Sequence, residues 1–209
     1  MLLVRGKKPW ELLLMRRPRD ADFAAGAYVF PGGVAHAEDS HWGDEIAAAA
    51  VRELFEEVGI LLARDRRRFA RDRDSDLIRT MVAGGGTFAD ALRSIGLQPA
   101  LDRLVLLTRW VTPALLSRRY DARFYLARLP AGQTVRAEPG EVTDWLWVTP
   151  NRALRDPAIT LVYATQKVLE SVSRDDDVKS LMARARRLKN VPVVEPRMTR
   201  TESGWQISH

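Results

Sequence analysis

The stretch Arg52–Ile60, RELFEEVGI, sets three carboxylates, Glu53, Glu56 and Glu57, within five positions, directly ahead of Gly59. A helix ending there carries anions in its last turn, where the macrodipole already leaves partial negative charge and favours cations. Glu53 and Glu57 are also four residues apart and repel across one turn. On a helical wheel over residues 44–58, Ala47, Val51, Leu54, Phe55 and Val58 gather on the side that would face a core. The three glutamates gather opposite, with the small Ala49 and Ala50 leaving room one turn earlier and Arg52 placed to hold one of them. No lysine four residues away balances the cluster. The spacing Glu-x-x-Glu-Glu presents several oxygens to one point, as a hard divalent cation such as Mg²⁺ or Mn²⁺ requires, and such an ion would supply the missing positive charge. The turn Pro31–Gly32–Gly33 lies shortly upstream, where glycine lets backbone approach a ligand closely.

Outward from this helix, LLLM (12–15) and YVF (28–30) read as strands separated by the loop RRPRDADFAAGA. Downstream, RDSDLIRTMV and TFADALRSIG read as two short helices hinged at Gly84–Gly86. Strand composition then dominates in LVLLTRWVT (104–112), ARFYLARL (122–129) and DWLWVT (144–149). Helical patterns follow over 157–172 and 178–188, and the tail from Val191 is expected to add a hairpin. Strands on both sides of one acidic helix imply a mixed α/β or α+β domain.

The chain has 209 residues, 46% hydrophobic, enough to bury a core as one domain over 1–209. The expected additions are a helical insertion near 61–100 and a helical extension and tail from about 157. The absence of cysteine excludes disulfides, thiolate metal sites and a cysteine nucleophile. No apolar run is long enough to span a bilayer, and the N-terminal apolar stretch is too short for a signal peptide, so a cytoplasmic location is expected. The net charge of +6 comes mostly from grouped arginines: Arg16, Arg17 and Arg19; Arg64 with Arg66 to Arg68; Arg184, Arg186 and Arg187. Such groups suit phosphate, onto which guanidinium forks, but also suit a solvated surface.

FPGG (30–33) followed by RELFEEVGI resembles the signature of the Nudix hydrolases, G-x5-E-x7-R-E-U-x-E-E-x-G-U with U aliphatic. The second half matches at every specified position: Arg52, Glu53, Leu54, Glu56, Glu57, Gly59 and Ile60. The first half departs. Counted from Gly33, the acidic position falls on Asp39, with a five-residue insertion before Arg52; counted back from Arg52, Asp44 and Glu38 take the places of Glu and Gly. The segments LLLMRR…AAGAYVFPGG, RWVTP, RRYDARFYLA and GEVTDWLWVTPNRAL are similar to the branch related to peroxisomal coenzyme A diphosphatases, over about residues 2–155. Arg16 and the Gly26-x3-Phe30 spacing fit the coenzyme A motif, while Asp22 stands where a basic residue is expected.

The resemblance implies an α/β/α sandwich around a mixed sheet. It also implies hydrolysis of a nucleoside diphosphate linked to a group X, with Mg²⁺ or Mn²⁺ held by Glu53, Glu56, Glu57 and the Gly32 carbonyl. Arg52 would orient the carboxylates, and a general base would come from the box or from a later loop, where Glu141 is the candidate and Glu138 the second. Substrate contacts are expected from Arg16, Arg17, Gly33 and Arg52. X would be the pantetheine arm of coenzyme A or its thioesters, with ADP-ribose, NADH or dinucleoside polyphosphates as alternatives. A module that binds a nucleotide or nucleic acid without catalysis is the rival class. A homodimer is plausible, and neither a membrane nor nucleic acid is the expected partner. Trp110, Trp145 and Trp147 are expected in the core. His36, His41 and His209 show no metal-ligand spacing.

Overall fold

The apolar runs on either side of the acidic helix pair into one mixed sheet. In the computed structural model the described residues are 1–113, 115, 119–201 and 204–208, so His209 lies outside them. In chain order the elements begin with β1 (Leu2–Gly6), β2 (Trp10–Arg16), β3 (Tyr28–Val29), a 3₁₀ turn (Ala37–Trp42) and α1 (Glu45–Val58). The segment after α1 contains β4 (Ala63–Arg64), α2 (Asp72–Ala83), α3 (Phe88–Ser94) and β5 (Gln98–Pro99). Then come β6 (Val105–Val111), β7 (Asp121–Arg128) and β8 (Asp144–Val148), followed by α4 (Pro150–Arg155), α5 (Tyr163–Val172) and α6 (Val178–Arg186). The last elements are β9 (Val193–Val194), β10 (Arg197–Thr201) and β11 (Gly204–Ser208).

The main sheet runs β3-β2-β1-β7-β6-β9, with β8 antiparallel along β2. β1 is antiparallel to β2 and parallel to β7, and β9 joins β6 in parallel. Period-2 alternation divides the apolar side chains between two cores. Leu3, Leu13 and Met15 point to the side of α1, α2 and α3, where they meet Val51, Leu54, Phe55 and Val58. Leu2, Val4, Leu12 and Leu14 point to the other side, against Val168, Leu169, Val172 and Leu181 of α5 and α6. A sheet covered on both faces explains why its strands are apolar runs rather than alternating ones. The expected α/β/α sandwich around a mixed sheet is what the chain forms.

Some expectations need correcting. The helix expected over 157–172 starts at Tyr163. A separate helix, α4, precedes it, opened by Thr149, whose hydroxyl accepts from the Arg152 N–H, and by Pro150 in its first turn. Pro157 has no N–H to continue α4. β1 went unread because three apolar residues carry no period of their own. The insertion does hold two helices separated at Gly84–Gly86, and a two-residue ladder closes it, pairing Ala63 with Pro99 and Arg64 with Gln98. The tail hairpin is β10–β11.

Candidate functional site

α1 starts at Asp44, whose carboxylate accepts from the Ala47 N–H at 3.1 Å, an N-cap. Asp44 is thus spent on the helix start, and Asp39 is the acid that meets Arg52. The Arg52 side chain is 1% exposed, and its Nε donates to both Asp39 oxygens at 3.2 and 3.3 Å. Nη1 donates to Glu53 (3.0 Å) and Glu56 (2.6 Å), and Nη2 to the Val34 carbonyl (2.8 Å) and Asp39 (3.2 Å). Every nitrogen of the fork is engaged, with Arg52 directed onto the carboxylates and the Val34 carbonyl. Burial opposes its charge, but Asp39, Glu53 and Glu56 outweigh that and hold its pKa above the ordinary arginine value.

The chain end of α1 is satisfied from outside the helix. Gly59 takes the left-handed conformation (φ 72°) that favours glycine, and its N–H donates to the Phe55 carbonyl. The Val58 and Glu57 carbonyls accept from the N–H groups of Arg136 and Glu138, both 2.9 Å away. These donors replace the cations missing from the last turn. Gln133 pins the start of the same segment: buried, it accepts from the Leu61 N–H and donates to the Leu61 and Ala70 carbonyls.

Glu57 does not lie on a solvated face. Its residue is only 5% exposed, and its carboxylate accepts from the Gly32 N–H at 2.8 Å. Gly32 sits at φ 152°, which suits glycine alone, so the Pro31–Gly32–Gly33 turn can bring its backbone against α1. Gly33 is as tightly placed, since a Cβ there would fall 2.4 Å from the Glu53 carboxyl carbon. Desolvation raises the Glu57 pKa to about 8, against the lowering effect of Gly32 and with Glu53 and Glu141 adding to the rise. Desolvation likewise raises Glu53 and Glu56, partly offset in each by Arg52.

Three carboxylates (Asp39, Glu53 and Glu56) therefore share one guanidinium, and Glu57 adds a fourth acid at the same helix end, in a partly dehydrated place. A buried anion is expensive even with a backbone donor and the Met1 ammonium near it, and all-oxygen donors suit Mg²⁺ or Mn²⁺. As the side chains stand, no group of three His, Asp or Glu converges at ligand distances among the described residues. The reason is visible: Glu53 and Glu56 lean on Arg52, and Glu57 leans on Gly32. Rotation about their side-chain bonds is the adjustment an ion would require. The donor chemistry fits a hard cation.

The remaining sequence candidates fall around this centre. Glu141 is exposed on the loop before β8, near enough for its charge to contribute to the raised pKa of Glu53 and Glu57. Glu138 pairs with Arg79 at 3.4 Å. Arg16 and Arg17 donate through Nε to the Gly26 and Phe23 carbonyls, bracing the 17–27 loop, and their outer nitrogens make no hydrogen bond among the described residues. Trp110 is buried in the core as expected, and Trp147 is half-buried beneath Arg5, 4.3 Å from its ring centre. Trp145 corrects the expectation for the three, at 39% exposed. Gln133 escaped notice because a lone glutamine in a loop carries no pattern, and Asp39 was legible only as the sixth residue after Gly33.

Residues 44–167, more than half of the chain, match the family model described as the NUDT19 Nudix domain. This chain belongs to the Nudix hydrolase family. It is 28% identical over 164 residues to the protein named nudix hydrolase 7 of Caenorhabditis elegans, covering 78% of this chain and 54% of that one. It is 25% identical over 207 residues to the acyl-coenzyme A diphosphatase NUDT19 of Xenopus laevis, covering 70% of this chain and 54% of that one. The chain thus spans about half the length of these relatives. The crystal structure of a Nudix hydrolase from Alicyclobacillus acidocaldarius superposes with a TM-score of 0.74 at 25% identity, over 87% of this chain and 92% of that one. RELFEEVGI is the Nudix helix of this fold, and none of the described helices is long and apolar enough to cross a membrane.

Proposed function

We propose that this Nudix chain hydrolyses the pyrophosphate bond of a nucleoside diphosphate linked to X, with coenzyme A or its thioesters as the substrate class. The observation that carries the reading is the clustering of three carboxylates at one end of α1: Glu57, buried and held by the Gly32 N–H, beside Glu53 and Glu56, which share the Arg52 guanidinium. A Mg²⁺ or Mn²⁺ ion held by Glu53, Glu56, Glu57 and the Gly32 carbonyl would lower the pKa of an attacking water and neutralise phosphate oxygens. Arg52, fixed by Asp39, orients Glu53 and Glu56 and keeps them from repelling one another. Gly33 leaves the space that the Glu53 carboxylate occupies. Glu141, exposed at the rim, takes the proton of the water as general base. Arg16 and Arg17 reach phosphate oxygens with the outer nitrogens their loop contacts leave available. Coenzyme A as the substrate is supported by the name of the Xenopus relative and by the Arg16 and Gly26-x3-Phe30 spacing.

The test is release of nucleoside monophosphate from coenzyme A, ADP-ribose, NADH and diadenosine polyphosphates, with Mg²⁺ and with EDTA. Coenzyme A should be cut to 3′-phosphoadenosine monophosphate and a phosphopantetheine product only when the ion is present. Far more efficient cleavage of ADP-ribose or NADH overturns the substrate assignment. Glu57→Gln keeps shape and helix propensity but weakens an ion ligand, so turnover should drop by roughly two orders of magnitude or more, about 3 kcal/mol of transition-state stabilisation. Unchanged turnover in that variant sinks the role given to Glu57.

A further inference from the structure

A groove of about 640 Å³ lies between the turn at 64–67 and the turn at 93–98. Its lining includes Trp42, Arg64, Arg66, Arg67 and Arg93, and none of the three glutamates of the Nudix helix belongs to it. We propose that this groove binds a multiply charged phosphate group.

The charge balance of the groove is one-sided. Asp65 is the single acid lining it, and its Oδ1 is turned into its own turn, accepting from the N–H groups of Arg67 (2.6 Å) and Arg68 (2.7 Å). Arg64, half-buried and 6.0 Å from the Phe69 ring centre, pairs with Asp102, and the exposed Arg93 pairs with Asp90, each at 2.9 Å; both acids are exposed, so the pairs are weakly held. Arg66 and Arg67 are exposed, and their side chains make no hydrogen bond or ion pair among the described residues. Two guanidinium groups of fixed charge, with two more loosely engaged, face one concave space. Planar forks of this kind match the oxygens of phosphate better than those of a lone carboxylate, because several forks can share a tetrahedral, multiply charged group.

The groove is also built rather than draped. The β4–β5 ladder sets Arg64 opposite Gln98, so the two turns keep their separation. The Arg93 guanidinium lies over the Trp42 ring, 5.6 Å from its centre, and the half-buried Trp42 packs onto the α1-side core. Trp42 ends the 3₁₀ turn that contains Asp39, the partner of Arg52, and three residues of such a turn advance about 6 Å. Glu38 of the same turn accepts from the Ala89 N–H at 3.1 Å, docking the turn onto α3. The five residues by which this chain exceeds the Nudix spacing lie between Asp39 and Arg52, the stretch that contributes Trp42 to the groove. The phosphate would come either from the part of a substrate remote from its scissile bond or from a free polyphosphate.

Binding is measured by calorimetry with tripolyphosphate in EDTA, which removes any contribution of an ion at the glutamates. The Arg66→Ala/Arg67→Ala double variant should bind at least tenfold more weakly than the natural chain. Arg186→Ala/Arg187→Ala removes the same charge elsewhere and should stay within twofold. The indole N–H resonance of Trp42, assigned through Trp42→Phe, should shift on titration of the natural chain. Equal losses in the two double variants, or no loss in the first, overturn the proposal. Two kinetic arms separate the sources. If a substrate supplies the phosphate, the groove variant raises KM about tenfold for coenzyme A and leaves its dephospho form unchanged. If a free polyphosphate supplies it, KM is unchanged for both, and added tripolyphosphate alters turnover of the natural chain but not of the variant. The binding arm needs no hydrolysis, so its failure is distinct from failure of the proposed activity.

Discussion

Helices cover both faces of the sheet, yet the two faces bury different chemistry. Asp39, Arg52, Glu57 and Asp74, the charged residues buried among those described, all lie on the α1 side. On the α5–α6 side the buried polar residues are Thr108 and Thr165, and the remainder is apolar. Burial of aliphatic side chains contributes about 25 cal/mol per Å² without directional demands, whereas a buried charge is tolerable only with its partners in place. Both faces therefore hold the fold, and the α1 face does so while also carrying the electrostatic cost of its buried charges.

The comparison can be broken by substitution. Arg52→Met removes the single cation from beneath Asp39, Glu53 and Glu56 and should cost about 3–5 kcal/mol, read from the urea midpoint, with loss of turnover. A cost below about 1 kcal/mol would mean the carboxylates protonate or rehydrate freely, and the contrast between faces would fail. Leu169→Ala opens a cavity on the apolar face and should cost about 3 kcal/mol. Turnover per folded molecule should stay within twofold, because no residue of the cluster packs there. A large drop in turnover would show the two faces coupled.

A smaller effect comes from pH. The Glu57 pKa, about 8 in the fold, lies above its unfolded value, so the protonated form favours folding. The stability it contributes is fully present below about pH 4.5 and is lost as pH rises through 8. In EDTA at pH 7, Glu57→Gln should be more stable than the natural chain by up to about 3 kcal/mol, and the two should converge near pH 4.5. The difference between the two curves reports Glu57 together with its coupling to the nearby Met1 amine, whose pKa burial lowers to about 6 against the raising effect of Glu57. Mg²⁺ should reverse the order at pH 7, since an ion stabilises the chain that binds it more tightly. Melting curves with and without Mg²⁺ over pH 4.5–8 measure both effects, and parallel curves would remove Glu57 from the buried group.

Much of the α1 side was legible because its signals are local. The helix limits, the apolar stripe at Ala47, Val51, Leu54, Phe55 and Val58, and the three glutamates all follow from spacing within fifteen residues. The short strands were not, since Leu2–Val4 and Val193–Val194 become strands only through partners far along the chain. The break between α4 and α5 was hidden by the shared helical composition of both segments, although Thr149–Pro150 is itself a start signal.

The sequence by itself determined that three carboxylates would crowd the end of a helix, that a glycine would stop it, and that a turn of glycines would stand nearby. The tertiary structure alone decided what becomes of that crowding. Glu57 is buried because the Gly32 N–H reaches it, Asp39 rather than Asp44 meets Arg52 because Asp44 caps the helix, and the last carbonyls are answered by a segment some eighty residues downstream. Local spacing fixes which side chains share a turn, but the dielectric around them, and hence their charge and reactivity, depends on which distant backbone closes over them.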